Sequence, residues 1–418
     1  MKVLAICAFA PPELTPQAIQ IGRQLYHLDA EVTLLHRPAP ASPQRFDQYP
    51  DFFERVRPLP VADPGPLLSG LWHRAALRAL PGYGDCPDGY TRWAGRATEA
   101  AQAAARESDV IASFGMPMSD HLVGRALKRR TGRPWLAHFS DPWLNNPFHQ
   151  RGWWSQQRNA QQERSVLAEA DQIVFTSQRT LDHVMSQHPG AWRSKARVLP
   201  HAWDDAAAAP SALAPSTDPT TDPITDPKGP LVIRHIGSLY GARSPLALYR
   251  ALATLWQQQP ALLAGVRFEF YGYMSPDYTS AEALAGLPPG LVQCLGMVGY
   301  LDGLSLSASA DALLVIDAPS ATPSIFLPSK LVESIGANRP VWGITPPGTS
   351  AEVISEWCPG ATVLATAGDV AAVTRLVESG LRELRAGTVK VSARVRERYA
   401  APAVAAALRV ALQRAIGA

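Results

Sequence analysis

The chain has 418 residues, 46% of them hydrophobic and 18% charged, with a formal net charge of +3. That length exceeds what one core normally serves, so two domains are expected, and so weak a charge gives no case for nucleic acid as a partner. The four cysteines, Cys7, Cys86, Cys294 and Cys358, show neither C-x-x-C nor zinc spacing, which points to free thiols in a reducing compartment.

The N-terminal MKVLAICAFAPPE stops its apolar run at Pro11-Pro12, too early for a signal peptide, so it reads as a first strand. No stretch approaches the ~18–20 apolar residues of a spanning helix. A cytoplasmic location is expected, with peripheral contact at the inner membrane surface left open. Along the N-terminal half, strands are predicted at 3–8, 31–35, 110–114, 135–139 and 172–176. Helices are predicted at 15–28, 93–106, 120–130 and 156–168. Residues 37–90, rich in Pro, Gly and aromatics, have no readable topology. Within them GPLLSGLWHRAALRALPGYG has helical spacing and reads either as a core-facing helix or as an amphipathic one on a membrane. Trp153-Trp154 reads either as an exposed aromatic edge or as packing.

Residues 205–230 repeat Thr-Asp-Pro three times without apolar periodicity, as expected of a proline-stiffened linker. Beyond it, strands are predicted at 231–236, 267–271 and 312–316, helices at 245–258 and 304–308, and largely helical chain from 370 to the end. Alternating strands and helices in both halves predict an α/β protein with parallel sheets. Ligands should then sit at the carboxyl ends of the strands, in a cleft between two doubly wound domains.

The stretch PSIFLPSKLVESIGANRPVWGITPPG, 323–348, reads as loop, helix, turn, strand and loop. Ser329 is the expected N-cap, and Lys330 and Glu333 share the first helical turn. A cation, free amides and a carboxylate at one helix start can hold a phosphate and a ribose diol together. The bland alternative is a surface ion pair worth tenths of a kcal/mol. Upstream, HIGSLYGARSPLALYRAL puts Gly237 at a strand end and Arg243 before a helix, where a guanidinium could grip a diphosphate. FEFYGYM runs Tyr271 into Gly272, and Val298-Gly299-Tyr300 lies where a base could stack or bond to backbone.

Joined in this order, the motifs resemble the donor-binding domain of GT-B glycosyltransferases, the large retaining family 4 in particular. The similarity lies in Gly237 after a strand, a basic residue in the next loop, and K-L-V-E-S-I-G-A-N-R-P-V at 330–341. It implies two Rossmann-like domains facing a cleft: 1–204 for the acceptor, a linker at 205–230, 231–395 for the nucleotide sugar, and 396–418 as a helix crossing back to the first domain. It implies a glycosyltransferase of bacterial glycan or polysaccharide synthesis, retaining, with a nucleotide-diphosphate sugar as co-substrate, no cofactor and no metal. The acceptor would be a glycan, a lipid-linked sugar or a small molecule.

By position, Arg243 and Lys330 would contact the diphosphate and Glu333 the ribose, with Gly237, Tyr271, Gly299 and the amides of Ile325, Phe326 and Leu327 completing the donor site. Two departures are visible. Ser238 stands where many members have Arg, and Ile325 where many have a sugar-contacting Glu. In the N-terminal half FAPPELTPQAIQIGRQL resembles the family's first strand, loop and helix, and WLAHFSDPWLNNPF resembles a D-x-R-D-P-W segment. Asp141 would then orient an acceptor hydroxyl, unless it only forms a turn with Pro142; His138 and Trp143 lie on the same acceptor side. LPHAWDD at 199–205 resembles the segment leading into the second domain and reads as structural. The alternatives are a nucleotide-sugar epimerase or hydrolase on the same scaffold, and a non-catalytic partner subunit. A Rossmann oxidoreductase lacks its G-x-G-x-x-G.

Overall fold

The computed structural model describes residues 1–40, 45–65, 86–146, 152–205 and 229–417, with the isolated positions 72, 74, 75 and 78. The Thr-Asp-Pro repeats and most of the helix expected over 65–84 lie outside these residues. The chain divides into two units, one of residues 1–202 with 401–418 and one of residues 203–400.

The first unit is built on seven strands: β1 (Lys2–Ile6), β2 (Glu31–His36), β3 (Val56–Pro60), β4 (Val110–Gly115), β5 (Trp135–Phe139), β6 (Gln172–Phe175) and β7 (Ala196–Val198). Their order is β3-β2-β1-β4-β5-β6-β7 and every pairing is parallel. β4 and β5 are buried along their whole length, as strands covered by helices on both faces must be. The first helix, Pro16–Tyr26, starts where expected: Thr15 accepts from the Ala18 amide at 3.2 Å and proline takes the first position, both standard helix openers. The single helix expected at 93–106 is two, Thr91–Ala100 and Gln102–Glu107. The terminal helix Ala401–Ile416 packs on Pro16–Tyr26 and on β4, β5 and β6, burying Val404, Leu408 and Leu412.

The second unit has six strands: β8 (Leu231–Ile236), β9 (Val266–Tyr271), β10 (Val292–Gly296), β11 (Ala312–Ile316), β12 (Val341–Ile344) and β13 (Leu364–Ala365). They are ordered β10-β9-β8-β11-β12-β13, again all parallel. This is the 3-2-1-4-5-6 order of doubly wound sheets, and it reverses between β8 and β11, the point where such sheets take ligands. Its core is one cluster around Phe268, Phe270, Leu331, Trp342, Trp357 and Leu381. The four cysteines are unpaired. Among the described residues no helix is long and apolar enough to cross a membrane.

Candidate functional site

At the reversal point of the second sheet β8 ends in Gly237. Its φ of +147° suits glycine and strains any other residue. Its amide donates to the Tyr271 carbonyl at 2.7 Å, and the Gly272 amide donates to Gly296 at 2.7 Å. A Cβ on Gly272 would strike the Gly237 carbonyl, and one on Gly237 would overlap the ammonium of Lys330. The ends of β8, β9 and β10 are thus closed against one another, with the lysine laid across the Cα of Gly237.

Lys330 comes from the helix Ser329–Gly336. Ser329 is its first residue, not its cap. Pro328 caps it in extended conformation (φ −65°, ψ 134°), with no side-chain hydrogen bond. Proline bars Leu327 from helical geometry, so the helix cannot begin earlier. The amides of Ile325, Phe326 and Leu327 therefore precede the helix rather than open it. Leu327 is buried in the core, and the Ile325 carbonyl accepts from Thr349 Oγ1 at 3.1 Å.

Lys330 keeps an exposed side chain, yet the protein packed around its ammonium lowers its pKa from the usual lysine value. Glu333 pulls that pKa up and Arg243 pushes it further down. The Arg243 charge also acts on His235 and on Asp317. Arg243, Lys330 and Glu333 are therefore brought together, as their order in the sequence suggests. Gly299 caps the helix Tyr300–Ala308, from which the Tyr300 hydroxyl donates to Glu333 Oε1 at 3.1 Å. Tyr271 contributes its carbonyl to Gly237. Burial raises its phenol pKa, and Glu269 adds to the rise; Glu269 is itself held by Arg234 and Arg267 at 2.6 and 2.7 Å.

Residues 15–202 match the model of the glycosyl transferase 4-like domain. Over those residues the chain is similar to that domain. Over the whole length it is similar in fold to the apo form of the lipopolysaccharide outer core galactosyltransferase WaaB, with a TM-score of 0.58 and 13% identity over 99% of both chains. A glycosyltransferase from Rickettsia africae gives 0.59 and 12% identity, over 99% of this chain and 98% of that one. A putative UDP-N-acetylglucosamine 2-epimerase from Listeria monocytogenes gives 0.53 and 11% identity, over 99% and 95%. At these identities the likeness establishes the two Rossmann-like domains of the GT-B fold. No curated protein sequence matches.

The residues expected on the acceptor side belong to the first unit. Asp141 follows β5 and is half-buried. Trp143 is not presented to a ligand: it is 1% exposed, and its indole N–H donates to Asn159 Oδ1 at 2.6 Å. Its aromatic bulk is a core element. His138 lies inside β5 with both ring nitrogens unpartnered, and burial, then His201, lowers its pKa to about 3; it is a neutral interior group.

Two residues of the second unit escaped the sequence reading. His235, two residues before Gly237, bonds through Nδ1 to the Leu314 carbonyl at 2.8 Å. Burial lowers its pKa to about 4, the Leu314 bond opposing and Lys330 and Arg243 reinforcing the shift. Asp317 directly follows β11. Burial raises its pKa against the opposing pull of Ser350 and Arg243. The Ser350 hydroxyl lies near but makes no well-formed hydrogen bond. The signal for both was adjacency: each stands at the end of an apolar strand run.

Proposed function

We propose that the protein transfers a sugar from a nucleotide-diphosphate sugar to an acceptor hydroxyl, with retention of configuration and without a metal ion, in the making of a bacterial glycan or glycoconjugate. One observation carries the reading: Lys330 lies against the bare Cα of Gly237, with Arg243 acting on it from the β8 loop and Glu333 one turn along the same helix. Two cations at a glycine-lined strand end suit a diphosphate, and a carboxylate one turn away suits a ribose diol. Tyr300 would orient Glu333 for that task.

Catalysis would be positioning together with stabilisation of the departing diphosphate by Arg243 and Lys330. The first unit would take the acceptor, with Asp141 as a polar contact. A glycan, lipid-linked or small-molecule acceptor fits this reading. The lipopolysaccharide galactosyltransferase among the fold relatives lends support to the first two by likeness. The cytoplasm, with peripheral contact at the inner membrane surface, is the location we assign to it.

The test is thermal unfolding with UDP, GDP, dTDP and their sugars, on the wild type and on Lys330→Ala and Glu333→Ala. The true nucleotide at 100 times its Kd should add about 2.7 kcal/mol of stability, and both variants should lose most of that gain. If no nucleotide stabilises the wild type, or both variants respond as it does, the donor-site assignment is wrong. Turnover in EDTA and the anomeric configuration of the product then test metal independence and retention. Free sugar or an epimerised donor as the product would instead favour a hydrolase or epimerase on this scaffold.

A further inference from the structure

Residues 317–328 link β11 to the helix Ser329–Gly336 and have no regular structure of their own except at Ser324. There the chain forms an isolated parallel bridge with Gly348, at the start of the helix Thr349–Trp357. The Ser324 amide donates to the Pro347 carbonyl at 2.7 Å, and the Thr349 amide donates to the Ser324 carbonyl at 2.9 Å. The Thr349 hydroxyl adds a third bond, to the Ile325 carbonyl at 3.1 Å. Gly348 makes this approach possible. Its φ of +125° and ψ of −152° lie in a region open essentially to glycine alone. A Cβ there would strike both the carbonyl oxygen and the amide of Ser324. Thr349 is buried, which keeps its hydroxyl out of competition with water. At the other end of the stretch, Leu327 sits in the core and Pro328 caps the helix of Lys330. The backbone from Ser324 to Pro328 is therefore held at both ends.

We infer that Gly348 and Thr349 are positioning residues of the nucleotide site: they fix the 324–328 backbone relative to Lys330 and touch no ligand themselves. The inference rests on the donor-site reading above. Backbone donors stabilise an anion best when they are in place before it arrives, because ordering a loose segment on binding consumes affinity. Going from Glu333 towards the start of its helix, the chain meets Lys330 and then this stretch. With the ribose at Glu333, the phosphate farther from the ribose is the one beside residues 324–328. Loosening the stretch should thus weaken a nucleoside diphosphate and spare the monophosphate. A purely structural role for Gly348 and Thr349 would make no such distinction.

The experiment is calorimetric titration of UMP, GMP and dTMP, and of UDP, GDP and dTDP, into the wild type, Thr349→Val, Thr349→Ser and Gly348→Ala. Circular dichroism sets a temperature at which each variant is folded. Thr349→Val keeps the shape and removes the hydroxyl, whereas Thr349→Ser keeps the hydroxyl. The wild type should prefer its diphosphate. Thr349→Val should bind that diphosphate about fivefold more weakly, and Gly348→Ala tenfold or more, as loss of one or several hydrogen bonds predicts. The monophosphate of the same nucleoside should change by less than about twofold, and Thr349→Ser should restore the wild-type preference. The threonine pair decides even where Gly348→Ala does not fold. Equal weakening of both ligands overturns the inference, and so does an unchanged preference in Thr349→Val or a Thr349→Ser that behaves like it. In those cases the wild type still binds its diphosphate and the donor-site reading stands. A wild type that binds no nucleotide removes that reading, and this inference with it.

Discussion

At position 237 a side chain would have to displace Lys330 and adopt φ +147°, strain worth about 1–3 kcal/mol. Gly237→Ala should therefore fold with reduced stability and bind its nucleotide at least tenfold more weakly, by thermal shift or calorimetry. Removing the clash as well, in Gly237→Ala/Lys330→Ala, should recover the part of the stability lost to the clash, leaving the φ strain, and should not recover binding. The double mutant thus separates sterics from charge. A second residue-scale expectation concerns acid. His121, His138 and His235 are buried, and burial first of all lowers their pKa values to about 3, 3 and 4. The unfolded chain takes up these protons near pH 6.5 while the folded chain refuses them, so each site weakens the fold as pH falls from about 6.5 towards 4. The slope is about 1.4 kcal/mol per pH unit for each. Asp120 and Asp317, raised by burial, act with the opposite sign: they hold protons that the unfolded chain has lost above about pH 4, so their contribution is lost as pH rises. Replacing one histidine isolates its own share. His138→Phe should flatten the pH dependence of urea unfolding between pH 6 and 4 by close to one proton's worth. An unchanged slope would show that His138 is protonated in the fold.

Among the elements, the helix Ser329–Gly336 carries Lys330 and Glu333 at its start and is pinned at its end by Trp203. The Gly336 Cα lies so close that a Cβ there would come within 2.7 Å of the Trp203 side chain. Arg396 lies 3.8 Å over the indole, accepts the Trp203 N–H through its carbonyl at 2.8 Å, and donates to the Gly336 carbonyl at 2.9 Å. Trp203→Ala should cost about 3–5 kcal/mol and, by loosening the helix, weaken nucleotide binding. Urea unfolding and titration of the same variant read the two effects. If binding is untouched, the pin is structural alone. The sequence displays this helix because its apolar side repeats and its start follows a proline. The strands β4, β5, β8 and β11 are equally visible as mostly apolar runs. β3, VRPLP, and β10, VQCLG, escape because each is an edge strand with exposed positions. Prolines or half-burial erase the pattern there. That Gly237, Arg243, Lys330 and Glu333 lie near one another was legible because each stands at a strand end or helix start that the sequence displays. The Tyr300–Glu333 bond was not, since it joins two helices far apart in sequence. Trp143 misled because an aromatic beside a candidate aspartate looks the same in sequence whether it faces a ligand or the core.

For the molecule as a whole, the chain passes between its units twice, at 202–203 and 400–401. The flanking residues Trp203 and Ala400 form an isolated parallel bridge, with the Trp203 amide donating to the Tyr399 carbonyl at 2.9 Å. The return segment was expected from residue 396, but Arg396 and Tyr399 remain with the second unit because they are bound to Trp203. From Ala401 the helix belongs to the first unit. It buries Ala401, Val404, Ala405, Leu408, Ala411, Leu412 and Ala415 against helix Pro16–Tyr26 and β4 to β6, and Arg409 pairs with Asp29. Fully burying each larger apolar side chain is worth roughly 1.5–3 kcal/mol, and Val404, Leu408 and Leu412 together reach an amount comparable with the whole stability of a domain. A chain ending at Ala400 should therefore lose the first unit and keep the second. Calorimetric scanning should show the first unit's transition fall well below that of the full chain or vanish, while a transition that still rises with the cognate nucleotide persists. A milder version, Leu408→Ala with Leu412→Ala, should lower the same transition by several degrees and leave the nucleotide-dependent one in place. If truncation instead abolishes the nucleotide response, the second unit does not fold without the terminal helix, and the two units are a single cooperative body.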